Sequence, residues 1–257
     1  MAQSGAQTLP SLGDPGLATL SLAPVVQSSH WDERGPHGGV LLQEQGTLAG
    51  WGLRGQYDRK GWRVGLSLSK VSGGRHYDGQ TNLGVPVQTD VSAALLRTQL
   101  FAVYRHADGW LLGLDWAHRT QRRELRSIPG VASGYTERWV SDEPGLRVGA
   151  HWVATGQWVA SMTASPWSQT HMTIASESMD EAVLRPRRQQ VAQLALSWQA
   201  PASGQWVWGL NGQLDWRRTL RSDPVAWMRN GSLRGSLTQP ETREVLYGLG
   251  LEFSRMW

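Results

Sequence analysis

The chain has no cysteine, only two phenylalanines, and no long uninterrupted apolar run anywhere in its 257 residues. Without cysteine there is no disulfide framework and no thiolate metal site. Its absence also suits export through an oxidising compartment, where stray thiols are a hazard. No apolar stretch approaches the ~18 residues that a membrane-crossing helix needs. The mean hydropathy of -0.39 would pass for that of a soluble protein, but alternating strands are invisible to such averaging. Residues 1–14 lack the charged start and apolar stretch of a secretion signal. For an exported chain, the numbering is therefore expected to describe a processed form with an added Met1. No His/Asp/Glu cluster has metal-ligand spacing, and there is no phosphate-binding glycine loop or nucleic-acid module, so neither a cofactor nor a nucleic-acid partner is expected. The sequence pI near 9.8 reads as contact with anionic lipid.

Tryptophan is what the chain has in excess: fifteen, against five tyrosines. Trp62, Trp110, Trp158 and Trp206 lie 48 residues apart, each one or two residues after a turn glycine. Another aromatic stands just before each turn: Tyr57, Tyr104, Trp152 and Trp198. A repeat of this period can signal a solenoid or propeller, but those need a buried core in every unit. Here the strands alternate apolar and polar residues. Amphipathic rings held at one height are what a membrane interface selects.

The clearest strand is Trp206–Trp216. Trp206, Trp208, Leu210, Leu214 and Trp216 share one face, and Asn211, Gln213 and Asp215 share the other. At ~3.3 Å per residue and a ~40° tilt its ends stand roughly 25 Å apart, the height of the apolar band of an outer-membrane barrel. Trp110–Trp116 repeats the design with Asp115 turned the other way. Nine strands read in this manner, and the turn lengths require a tenth, Leu17–Val26, which Pro24 interrupts. The expected fold is all-β: a closed, antiparallel, up-and-down transmembrane β-barrel of ten strands over residues 15–257, behind a periplasmic tail at 1–14. Short turns at 58–61, 106–109, 154–157 and 200–205 would face the periplasm. Outer loops would cover roughly 28–40, 72–90, 122–143, 168–188 and 219–243. The aromatic girdles would comprise Tyr57, Trp62, Tyr104, Trp110, Trp116, Trp152, Trp158, Trp198, Trp206, Trp216 and Trp257.

The end of the chain, Tyr247-Gly-Leu-Gly-Leu-Glu-Phe-Ser-Arg-Met-Trp257, resembles the C-terminal insertion signal of Gram-negative outer-membrane proteins. Tyr247, Leu249, Leu251 and Phe253 supply its alternate apolar positions; Arg255 and the terminal Trp257 depart from the usual pattern. The resemblance implies the outer membrane as location and the barrel-assembly machinery as a partner during insertion. It covers about eleven residues and points to the class of outer-membrane barrels, not to a family within it.

Inward positions are expected to carry arginines against fewer acids. Asp115, Arg147 and Glu252 fall at a similar mid-height with Arg97 nearby, and together with Asp215 they form the expected lumen ion network. A ten-stranded lumen is narrow enough for arginine forks spanning carboxylates to plug it. On the outward parity, Lys70, Arg122, Arg138, Arg188 and Arg218 fall just above the apolar band, where lipopolysaccharide phosphates suit arginine. The expected role is a non-enzymatic scaffold, accessory or surface-attachment protein with an envelope complex as partner. One alternative is a narrow anion-preferring channel. Another is a surface protease of the omptin type, whose chemistry requires acidic and His–Asp pairs facing across the outer mouth. The outer loops offer His30 with Asp32 and His76 with Asp78 for that. An autotransporter translocator needs a pore-threading helix, for which residues 1–14 are poorly suited.

Overall fold

The structure, a computed structural model, describes residues 16–80, 84–131, 133–176, 179–201 and 204–257. The expected tail at 1–14 and the tip of the last short turn lie outside them. The strands are β1 (Leu17–Arg34), β2 (Val40–Arg59), β3 (Trp62–Gln80), β4 (Pro86–Arg105), β5 (Trp110–Leu125), β6 (Tyr135–Val153), β7 (Gln157–Ser176), β8 (Met179–Leu184), β9 (Gln189–Gln199), β10 (Trp206–Thr219), β11 (Val225–Arg229), β12 (Ser232–Leu237) and β13 (Glu241–Met256). Ten of them form the wall: β1 to β7, β9, β10 and β13 pair antiparallel in chain order, and β1 pairs with β13 to close the ring. β8 extends from β7, and β11 with β12 makes a separate hairpin.

Closure requires a stagger, and the register supplies it. Partners lead from Ala18 through Tyr57, Val64, Ala102, Leu114, Leu146, Ala164, Ala192, Trp216 and Val245 back to β1 at His30, twelve residues along. A stagger of twelve over ten strands corresponds to a tilt of about 40°. Pro24 is accommodated because the β1–β13 ladder has no paired residues between Leu22 and Val25.

The burial pattern is that of a soluble protein turned inside out. On β13, Tyr247, Leu249, Leu251 and Phe253 are exposed, while Glu252 and Ser254 between them are buried. Leu112, Leu114, Leu146, Leu194, Leu210 and Trp208 continue the same exposed belt. So much apolar surface facing outward would be unstable in water and is stable only against hydrocarbon.

One expectation needs correction. Most of the expected outer loop is strand: β1 runs to Arg34, β3 to Gln80, β5 to Leu125 and β7 to Ser176, while β4, β6 and β13 begin at Pro86, Tyr135 and Glu241. Within these strands the outward residues turn from apolar to charged before the wall ends. That change marks the membrane surface and not the end of the wall. On β4, Leu96 and Leu100 point outward, while Phe101 and Val103 are buried in the lumen on the same face as Arg97 and Gln99. Phe101 fits because its register partner is Gly65, where a Cβ would come within 2.4 Å of the ring and 2.7 Å of the Gly55 carbonyl oxygen. Gly65→Ala is expected to cost about 1–3 kcal/mol. Adding Phe101→Leu should return part of it in thermal unfolding; an equal loss in both backgrounds would clear the ring of blame.

Candidate functional site: the lumen

The lumen side chains sort by height into four layers. Nearest the short turns is a polar vestibule. Above it Arg147 Nη2 donates to Asp115 at 2.8 Å, and Gln99 donates to the same carboxylate. Phe101 lies under the Arg147 guanidinium, 5.3 Å from ring centre. The next layer joins two arginines to two acids. Arg97 reaches Asp215 at 3.4 Å and Glu143 at 3.6 Å, and Arg217 reaches Glu143 at 3.3 Å and Asp215 at 3.4 Å.

The fourth layer is on the part of the wall beyond the outer girdle. Arg123, fully buried, pairs with Glu44 and Glu137 and lies 3.6 Å from Glu33. Arg75 bridges Glu244 at 3.1 Å and Glu44 at 3.5 Å, and Arg119 also pairs with Glu244. Burial alone would lower the Arg123 pKa, but its three carboxylates outweigh that and hold it well above the usual value. Burial, with repulsion from Glu137 and Glu44, pushes Glu33 up to about 7 despite Arg123. Burial and the Glu33 charge push the Tyr77 hydroxyl up to about 12.

An apolar cap closes the outer mouth. Trp31 and Trp139 meet edge to face at 5.4 Å among Leu42, Val91, Leu125 and Met172. Arg123 stacks 4.6 Å over Trp31, joining the cap to the ions beneath. The β11–β12 hairpin covers the cap, with Val225 and Leu237 packed on it. At its tip Asn230 and Gly231 both have positive φ, the conformation a tight hairpin turn needs. Their N–H groups donate to the Asp180 carboxylate on β8 at 3.0 and 2.9 Å.

The residues singled out from the sequence are placed as follows. Asp115 is paired with Arg147, and Arg97 is joined to Asp215. Glu252 stands apart: its carboxylate accepts from Ser254 at 3.4 Å and has no arginine partner among the described residues. The larger share of the network, namely Glu33, Glu44, Arg75, Arg123, Glu137, Glu143 and Glu244, lies outside the expected set. Strand parity carries the signal: Glu44 shares that of Arg54, Arg123 that of Asp115, and Glu244 that of Glu252. These residues lie beyond the point where the outward face ceases to be apolar.

Lys70, Arg122, Arg138 and Arg188 are exposed on the outer wall, and Arg218 is partly exposed there. Arg122 and Arg138 are direct cross-strand partners, as are Arg218 and Arg243, whose charges converge on Glu241. Around the short-turn end the girdle is a chain of ring contacts. Trp62, Tyr104 and Trp110 lie at 5.3 and 6.3 Å, and Trp152, Trp158, Trp198 and Trp208 at 6.1, 6.3 and 4.9 Å. Tyr57, Trp206 and Trp257 are exposed at the same end, while Trp116 and Trp216 mark the opposite edge, together with Trp51 and Trp167.

In fold, the chain is similar to the outer-membrane protease OmpT from Escherichia coli, with a TM-score of 0.64 at 10% identity, covering 98% of this chain and 100% of that one. This is an outer-membrane β-barrel. The translocator domain of the autotransporter NalP from Neisseria meningitidis also aligns, at a TM-score of 0.47 and 10% identity over 93% of this chain and 88% of that domain. No family model matches the sequence, and no curated protein matches it either. At such identity the likeness extends to the fold and not to chemistry. His30, His76 and Asp78 alternate in parity with the lumen residues Trp31, Arg75 and Tyr77 and lie on the outer side of the wall; Asp32 shares their parity but is buried, paired with Arg34 at 2.8 Å. His30 and His76 flank Gln45 in register, on neighbouring strands and not across the mouth.

Proposed function

We propose that this barrel is a non-conducting, non-enzymatic component of the outer membrane, an anchor or scaffold for an envelope assembly. The observation that carries this reading is the closed lumen. Two layers of arginine–carboxylate pairs cross it above the Arg147–Asp115 pair, and an apolar cap with a hairpin lid lies over them. A solute crossing it would have to break several buried ion pairs, and separating even one costs about 3–5 kcal/mol. The outward placement of the histidine–aspartate pairs supports the absence of catalysis, since a substrate in the mouth would not meet them.

The exterior arginines fit lipopolysaccharide as the outer-leaflet partner. Arg122 and Arg138 oppose each other on the outer face, and Arg138 has no ion-pair partner among the described residues. Like charges directly across a ladder repel, and a phosphate between them would turn repulsion into attraction. The barrel-assembly machinery would act through the terminal strand.

Planar-bilayer recording of the purified barrel tests the closed lumen. The expected trace is flat apart from brief, rare events. A steady conductance would overturn this reading, and loss of anion selectivity on mutating Arg97 or Arg147 would favour the channel in its place. Isolation from native membranes is the companion measurement, with a stoichiometric protein partner expected; a lone monomer that cleaves peptides would exclude the scaffold.

A further inference from the structure

Below the Arg97–Asp215 layer the lumen opens into a blind vestibule that faces the short turns and hence the periplasm. Its cavity holds about 190 Å³, bounded by Gln157 and Gln199 near the turns and by Arg97, Asp215 and Arg217 at its floor. The wall is dominated by neutral side chains that both donate and accept, among them Gln56, Gln193, Gln213 and Asn211. Among the described residues, two charged groups facing this cavity lack a counter-ion. Arg63 pairs with Asp58, Arg147 with Asp115, and Arg97 and Arg217 with Asp215 and Glu143. Arg54 has no hydrogen-bond or ion-pair partner among the described residues, and Glu252 is buried with only the Ser254 hydroxyl on its carboxylate.

Arg54 on β2 and Glu252 on β13 flank the same strand, β1. Arg54 is the register partner of Ser21, which pairs in turn with Ser254. Two strand spacings, with two residues along β13 from Ser254 to Glu252, set their backbones about 12 Å apart. Sealing this space without using its charges would leave a carboxylate and a guanidinium facing each other through water. A bound ligand that carries the opposite pair of charges, with peptide-like groups between them, would satisfy both ends and the amides in one step. A tripeptide spans up to about 10 Å when extended, and the Arg54 and Glu252 side chains cover the remainder.

We infer that the vestibule is a periplasm-facing binding site for a short zwitterionic peptide, with Arg54 holding its carboxylate, Glu252 its ammonium and the glutamine wall its amide groups. It lies beneath the closed layers, and its test is independent of conductance: a barrel that conducts yet binds the peptide would refute the closed lumen and leave the site standing.

The test is calorimetric titration of the full chain, folded in detergent micelles, with trialanine, N-acetyl-trialanine and trialanine amide. Trialanine is expected to bind in the millimolar range or tighter, and blocking either end should weaken it tenfold or more. Arg54→Gln should lower trialanine affinity by a similar factor and erase the difference between the acid and the amide. Glu252→Gln should do the same for the ammonium and its acetylated form. Retained heat-modifiable mobility on gels would show that both variants fold. Absence of trialanine binding overturns the site, as does binding indifferent to the state of either end or unchanged in folded Arg54→Gln.

Discussion

Replacing Arg123 with methionine is expected to destabilise the barrel more than any other single substitution in the lumen, by about 3–5 kcal/mol. The guanidinium is fully buried and sits among Glu33, Glu44 and Glu137, with the Trp31 ring against its face. Methionine keeps much of the packing volume but leaves three carboxyl groups together away from water, relieved by Arg75 on Glu44 and the Trp139 indole N–H on Glu137. The loss should appear as a lower midpoint in thermal unfolding, followed by near-UV circular dichroism or by gel mobility without boiling. Adding Glu44→Gln to Arg123→Met removes one of the stranded charges and should restore part of the midpoint. Arg138→Met, on the exposed outer wall, should move it by less than about 0.5 kcal/mol. Equal losses at the two arginines would mean that the buried network contributes nothing particular to stability.

How much of this was legible beforehand depends on which physical constraint wrote the pattern. Lipid outside and polar groups inside write a two-residue alternation, and the interfaces write tryptophans at its ends. Trp206 to Trp216 could therefore be oriented from the sequence, and Asp115 and Asp215 assigned to the lumen. Beyond the outer girdle the outside is wet, so the alternation loses its apolar half. Glu44, Arg75 and Arg123 then look like loop charges, although the wall continues through them. Their pairing was illegible for a second reason. Arg75 meets Glu244, 169 residues away in the chain, and Arg97 meets Asp215, 118 residues away. Such contacts depend on the twelve-residue stagger of the closed ring, which no local pattern encodes. Arg97 accordingly joins Asp215 and Glu143, while Asp115 goes to Arg147. The apolar cap escaped notice because its residues come one or two at a time from many strands, as Trp31, Leu42, Val91, Leu125 and Trp139 do.

Stability is expected to fall as pH rises from about 5 to 8, with Glu33 as the cause. Within the upper two ion layers, five arginines (75, 97, 119, 123, 217) face six acids (Glu33, Glu44, Glu137, Glu143, Asp215, Glu244), so full ionisation leaves one negative charge in excess. One proton resolves the imbalance. It belongs on Glu33, the carboxylate furthest from Arg123, whose burial and neighbouring Glu137 and Glu44 charges raise its pKa to about 7 from an ordinary 4.5. The folded chain then holds a proton that the unfolded chain has released throughout that interval. The stabilisation is fully present below pH 4.5, and it fades as pH climbs through 7 and the folded state must surrender the proton. The interval corresponds to about 3 kcal/mol at most, since one pKa unit is worth about 1.4 kcal/mol. Glu33→Gln carries the neutral form permanently, so its thermal midpoint should be flat between pH 5 and 8 and higher than that of the parent at pH 8. A parent profile already flat over this range, or a slope that survives in Glu33→Gln, would remove Glu33 as the proton's holder. The surplus charge would then have to be met elsewhere in the network, with Glu44→Gln and Glu137→Gln as the next substitutions to separate.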